Sequence, residues 1–131
     1  MVKKILLVDD DVPTRTALRS LLESEKRSDP FEVHVAGSGS ECLKAFDKDG
    51  PFALVLLDVT LPDLDGYEVC KALRTVDAKV PIVFVTARGD LRDFNAGRKA
   101  GGDSYLVKPV ARQALRATVA LFTNLERSRG E

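Results

Sequence analysis

The residues that could do chemistry in this chain stand at the ends of short apolar runs. Asp9, Asp10 and Asp11 follow Ile5 to Val8, Asp58 ends the run Phe52 to Leu57, Thr86 follows Ile82 to Val85, and Lys108-Pro109 follow Ser104 to Val107. Carboxylates brought together repel one another, which raises their pKa values unless a cation compensates. A divalent ion held by hard oxygens with water completing an octahedron meets that need, and such a donor set suits Mg²⁺, with Mn²⁺ as the substitute, better than zinc or copper. A carboxylate, a divalent ion, a lysine and a hydroxyl are together the parts needed to accept a phosphoryl group: the cations neutralise its equatorial oxygens and the nucleophile needs positioning more than activation. Asp58 is the nucleophile of choice because it ends the most apolar run, and hence the most central strand.

These residues meet only if the elements between them place them at one edge. Ile5 to Val8, Phe52 to Leu57 and Ile82 to Val85 are continuous apolar runs, as strands buried on both faces of a parallel sheet require. Phe31, Val33 and Val35 alternate with Glu32 and His34, which predicts an edge strand with one wetter face. Between the runs, helical stripes are formed by Ala17, Leu18, Leu21 and Leu22, by Cys42, Leu43 and Phe46, by Val69, Cys70 and Leu73, and by Leu115, Thr118, Val119, Phe122 and Leu125. Ser38 to Glu41 has capping-box spacing at the start of the second helix. The fourth helix, about Leu91 to Lys99, offers only Leu91, Phe94 and Ala96 as a stripe, and Gly97 inside it costs about 1 kcal/mol against alanine. Strict alternation of strand and helix implies βαβ units with right-handed crossovers, an α/β domain of (βα)5 type with helices on both faces of a parallel sheet. In such sheets ligands bind beyond the carboxyl ends of the strands, where the candidate residues fall.

Composition narrows the classes further. At 131 residues the chain is one domain, expected over 1–126 with 127–131 as a polar tail or linker stub, and its core needs neither disulfide nor metal to fold. Equal numbers of basic and acidic residues, 20 of each, argue against direct nucleic-acid binding. Cys42 and Cys70 lack metal or disulfide spacing and fall on helix stripes, so they read as small core hydrophobes of a protein in a reducing cytoplasm. No apolar window reaches the length of a membrane span, and the four apolar residues after Lys3 and Lys4 are too few for a signal peptide.

The segments Ile5 to Asp11, Leu56 to Gly66, Val85-Thr86-Ala87 and Ala100 to Pro109, in this order and spacing, resemble the receiver domain of bacterial two-component response regulators over residues 3 to 126. The resemblance implies a flavodoxin-like, doubly wound sheet of order 2-1-3-4-5. It implies that Asp58 is the phospho-acceptor, that Asp9, Asp10, Asp58 and the backbone carbonyl of Thr60 hold Mg²⁺, and that Lys108 contacts the phosphoryl group. Thr86 matches the switch hydroxyl, Tyr105 the switch aromatic, and Pro109 the proline of a cis peptide that positions Lys108. Thr60 and Arg88 occupy tuning positions, Arg88 for the lifetime of the phosphorylated state. The implied donor is a sensor histidine kinase or histidine phosphotransfer protein. The implied output is a changed surface of the fourth helix, fifth strand and fifth helix that binds an unspecified protein or domain or supports a phosphorylation-dependent dimer. Such a domain is a phospho-acceptor with self-phosphorylating and self-dephosphorylating chemistry, not an enzyme in the ordinary sense.

Plainer readings apply to several neighbours. Asp11 suits a helix N-terminus, and Asp63, Asp65 and Gly66 suit a turn and cap. His34 lies on an edge strand without the helical surroundings of a phosphohistidine, and Gly101-Gly102 read as a helix stop. Three features depart from the family pattern: Glu25 to Pro30 lengthens the loop before the second strand, Leu61 replaces the commoner methionine, and Arg88 stands at a position where the family varies. An aspartate-nucleophile phosphatase is disfavoured because Pro13 stands where its motif needs Thr or Val. A flavodoxin-type cofactor binder is disfavoured because three aspartates would repel phosphate. The remaining rival is a receiver-like interaction module that works without phosphorylation.

Overall fold

The computed structural model describes residues 2–24 and 31–129, with side chains described as far as Asn124. Five strands alternate with five helices: β1 (Lys3–Val8), α1 (Val12–Glu23), β2 (Phe31–Ala36), α2 (Gly39–Asp49), β3 (Leu54–Leu57), α3 (Gly66–Val76), β4 (Ile82–Thr86), α4 (Leu91–Ala100), β5 (Ser104–Val107) and α5 (Arg112–Arg129). All strands are parallel, in the order β2-β1-β3-β4-β5, which is the doubly wound order expected. The register pairs Val8 with Leu57, Leu57 with Phe84, and Thr86 with Val107, so the residues that follow β1 and β3 emerge side by side.

Because successive side chains of a strand point to opposite faces, the continuous apolar runs feed two cores at once. Leu6, Val8, Val55, Leu57, Ile82 and Phe84 pack with α2, α3 and α4 residues such as Cys42, Val69, Leu73 and Ala100. On the other face Ile5, Leu7, Leu54, Leu56, Val83 and Val85 pack with Leu18 and Leu22 of α1 and Leu115, Val119 and Phe122 of α5. Burial pushes the Cys42 thiol up to about 12 and the Cys70 thiol up to about 11, so both stay protonated and act as core atoms.

Several local expectations need correction. β3 begins at Leu54 rather than Phe52; the Phe52 ring instead stacks on Phe46, with centroids 6.0 Å apart. The alternation of β2 breaks at its end, where Val35 lies exposed and Ala36 is buried. Leu91 and Phe94 of α4 face outward, and the helix buries Asp93, Gly97 and Ala100. The reason is close approach: a Cβ at Gly97 would stand 3.1 Å from both Phe84 and Tyr105, so the missing side chain lets α4 lie on the sheet. The capping box forms only in part, since Ser38 accepts the Glu41 N–H at 3.1 Å while the Glu41 carboxylate takes the N–H of Gly37, one residue early. α5 runs as helix to Arg129. The loop Glu25 to Pro30 and the Leu125 side chain lie outside what is described. Among the described residues no helix is long and apolar enough to cross a membrane.

Candidate functional site

β1 and β3 are each followed directly by a carboxylate, and both carboxylates are buried: Asp9 is 2% exposed and Asp58 6%. Backbone donors fix one oxygen of each. The N–H of Asp11 donates to Asp9 Oδ1 at 2.9 Å and that of Thr60 to Asp58 Oδ1 at 3.2 Å. The other oxygens face a shared cation, with Lys108 Nζ 2.5 Å from Asp9 Oδ2 and 2.9 Å from Asp58 Oδ2. Asp10 is exposed, and its carboxylate approaches those of Asp9 and Asp58 so that one oxygen from each lies within 4.8 Å of the others. Three hard oxygen donors converging at that spacing fit a divalent ion such as Mg²⁺. Burial raises the pKa of Asp9 above the ordinary carboxylate value, against the lowering pull of Lys108. Burial alone would lower Lys108, but its bonds to the two carboxylates outweigh that and hold it above the usual lysine value.

The loop beyond Asp58 is fixed by its own caps. Gly66 donates to the Val59 carbonyl at 2.7 Å, and Thr60 pairs with Asp65, which caps α3 by accepting the Tyr67 N–H at 2.8 Å. Asp63 reaches across to cap α2, accepting the N–H groups of Gly39 and Ser40 at 2.8 and 2.9 Å. Asp11 caps α1 through the Thr14 N–H and hydroxyl, as its ordinary reading required.

The remaining predicted residues lie at or beside this pocket. Thr86, 1% exposed, ends β4; its hydroxyl oxygen accepts the Arg88 N–H at 3.4 Å and its carbonyl accepts the Lys108 N–H at 2.8 Å. The Lys108-Pro109 peptide is cis. Tyr105 is half-buried against Phe84 and Phe94. Arg88 turns toward α4, where its guanidinium pairs with Asp93 at 2.9 Å. An open apolar groove of about 500 Å³ adjoins Lys108, lined by Pro13, Ala17, Leu18, Pro109 and Val110.

Sequence reading passed over three contributors. Gly66 read as a cap only, Tyr67 as nothing, and Asp93 was hidden by the wrong stripe on α4. The spacing 93, 96, 97, 100 is itself a helical face, but one made of an acid and small residues that a search for large apolar side chains overlooks.

The sequence profile of the response regulator receiver domain matches residues 5–120. This chain belongs to that family. The receiver domain is 41% identical over 117 residues to "Probable transcriptional regulator ycf27" of Cyanophora paradoxa, covering 89% of this chain and 46% of that protein. It is 43% identical over 117 residues to the response regulator MprA of Mycobacterium ulcerans, covering 89% of this chain and 48% of MprA. It therefore spans about half the length of the curated relatives it matches. Among solved structures it is similar to a CheY-like response regulator receiver domain protein from Methanospirillum hungatei, with a TM-score of 0.90 at 27% identity over 98% of this chain and 99% of that one. The chain is thus a response regulator receiver domain of the two-component type, and its acidic trio could bind a metal.

Proposed function

We propose that this receiver accepts a phosphoryl group on Asp58 in a Mg²⁺-dependent reaction and changes its α4-β5-α5 surface for a partner. One observation carries the reading: Lys108 Nζ lies between Asp9 Oδ2 and Asp58 Oδ2, a cation placed where an aspartyl phosphate would put its charge. Asp9, Asp10, Asp58 and the Thr60 carbonyl would hold Mg²⁺, which when bound supplies neutralisation of the phosphoryl oxygens.

The donor is a phosphohistidine on a sensor histidine kinase or a histidine phosphotransfer protein, or a small phosphodonor such as acetyl phosphate. The apolar groove between α1 and the Pro109 turn opens beside Lys108 and suits the helix that carries such a histidine. A carboxylate oxygen of Asp58 attacks phosphorus in line. The P–N bond breaks, and the imidazole leaves with the electron pair and takes up a proton. Lys108 then holds a phosphoryl oxygen and the Thr86 hydroxyl moves toward another. Tyr105 enters the space that Thr86 leaves, and phosphorylation biases this equilibrium only by what it adds to the switched state. On this reading the domain is a phospho-acceptor rather than an enzyme that turns over a small substrate.

Intact mass after incubation with acetyl phosphate tests it. One added phosphoryl group that requires both Mg²⁺ and Asp58, and is lost in Asp58→Asn, is expected. A mass that never changes in the wild type, with beryllofluoride also failing to bind, would leave a receiver-like binding module instead.

A further inference from the structure

Tyr67 has surroundings unlike those of an ordinary core aromatic. Its ring is buried at the start of α3, edge-on to Phe84 with centroids 5.2 Å apart, and the Arg88 guanidinium lies 5.7 Å from its centroid. Its hydroxyl stands 3.0 Å from the Tyr105 hydroxyl and 3.1 Å from both the carboxylate Oδ1 and the backbone oxygen of Asp93. The Asp93 carboxylate is the one that Arg88 pairs with at 2.9 Å. A single hydroxyl on α3 thus joins β5, α4 and the turn between β4 and α4.

The proton count gives this cluster a direction. A phenol has one proton, and the Asp93 oxygens only accept. The Tyr67 proton therefore goes to Asp93, and the contact between the phenols is Tyr105 donating to the Tyr67 oxygen. Burial, with the nearby Tyr105 and Asp93, pushes the Tyr67 pKa above its ordinary value, so the phenol keeps its proton at neutral pH.

We propose that Tyr67 is a positioning residue that latches the switch: its oxygen accepts the Tyr105 hydroxyl while its proton engages Asp93, holding Tyr105, Arg88 and the first turns of α4 in the arrangement seen here. The inference rests on the proposed function, in which Tyr105 moves when Thr86 does. For Tyr105 to move, its bond to Tyr67 must break, so the latch opposes switching by the net worth of that bond. Phenylalanine at 67 fills nearly the same volume and lacks only the latch, and Asp93 retains Arg88 as a partner.

The chain contains two tyrosines and no tryptophan, so ring-¹³C tyrosine labelling reports on this pair alone. Wild type and Tyr67→Phe are titrated with beryllofluoride and Mg²⁺ while the tyrosine ring resonances are followed. In Tyr67→Phe the remaining Tyr105 signal is expected to shift, before beryllofluoride is added, toward its wild-type beryllofluoride-bound position. The half-saturating beryllofluoride concentration is expected to fall about three- to tenfold, as loss of one net hydrogen bond allows. If Tyr105 keeps its wild-type position and half-saturation is unchanged or rises, the latch is overturned. If Tyr67→Phe does not fold, Asp93→Asn is titrated instead: it weakens the acceptor for the Tyr67 proton and should move Tyr105 the same way, and no movement overturns the latch. A wild type that fails to respond to beryllofluoride and gains no phosphoryl group from acetyl phosphate overturns the underlying reading, a result distinct from failure of the latch.

Discussion

Gly66 lies so close under Asp58 that a Cβ added to it would stand 2.3 Å from the Asp58 carbonyl oxygen and 2.6 Å from Val59 Cα. The obstacle is backbone, so no side chain can rotate away, and any larger residue must displace the segment that carries the candidate nucleophile. Gly66→Ala is expected to cost about 1–3 kcal/mol, the range for forced overpacking. It should also reduce phosphorylation by acetyl phosphate far more than a surface substitution of equal stability cost. Denaturant melts and the rate of mass gain, measured on the same preparations, separate the two effects.

Arg74 gives the opposite expectation, stability without chemistry. Its guanidinium donates to the carbonyls of Gly101, Asp77 and Val80 and to the Asp103 carboxylate, which also accepts the Ile82 N–H. The staple joins the ends of α3 and α4 to the start of β4, at the edge of the sheet opposite the acidic pocket. Arg74→Ala should lower stability by about 2–4 kcal/mol, given roughly 1 kcal/mol net per hydrogen bond. The folded fraction should still accept one phosphoryl group on Asp58, which a melt paired with intact mass would show.

The acidic trio predicts stabilisation by metal. A Mg²⁺ ion bound only by the folded chain adds about 2.7 kcal/mol at a hundredfold excess over its dissociation constant. The melting temperature should therefore rise with MgCl₂ well beyond its rise with NaCl of equal ionic strength, and chelation should reverse the gain. Asp10→Asn, which removes the exposed member of the trio, should abolish most of the difference.

Alkaline pH should find the weak side of the fold. Tyr67 and Tyr105 both have pKa values raised above 10.0, first by burial, and Lys108 is held above 10.5 by the bonds to Asp9 and Asp58 that outweigh its burial. Each group binds its proton more tightly when folded, so the stability it contributes is complete below its unfolded pKa and is lost as pH rises above it. Tyrosinate absorbance should thus stay low through pH 10 and appear together with loss of helical circular dichroism. A tyrosinate signal at pH 10 in a chain still fully helical would contradict the buried pair.

The strands and the polar residues that follow them were legible in the sequence because both follow from short-range facts, whereas the strand order was implied by the resemblance to receiver domains. Buried parallel strands must be apolar without alternation, and each of β1, β3 and β4 ends where a polar residue takes over, at Asp9, Asp58 and Thr86. Contacts between helices were not legible in the same way. Gly97 reads as a defect in α4 until Phe84 and Tyr105 are seen against it, and Asp93 reads as surface charge until Tyr67 and Arg88 are found on its carboxylate. Both depend on how closely α4 approaches the sheet, a distance set by side chains far away in the chain. Asp63 is similar: its cap lies on α2, and only the fold brings Gly39 and Ser40 within its reach.

The Lys108 ammonium joins carboxylates that precede it by 99 and 50 positions. A nascent chain that has emerged only through α3 already carries all three acids but lacks the cation that balances two of them. Until β5 docks against β4, Asp9 and Asp58 would meet as an uncompensated buried pair, which disfavours bringing β1 and β3 fully together at their carboxyl ends. On the proposed function, competence to receive a phosphoryl group therefore arrives with the last strand.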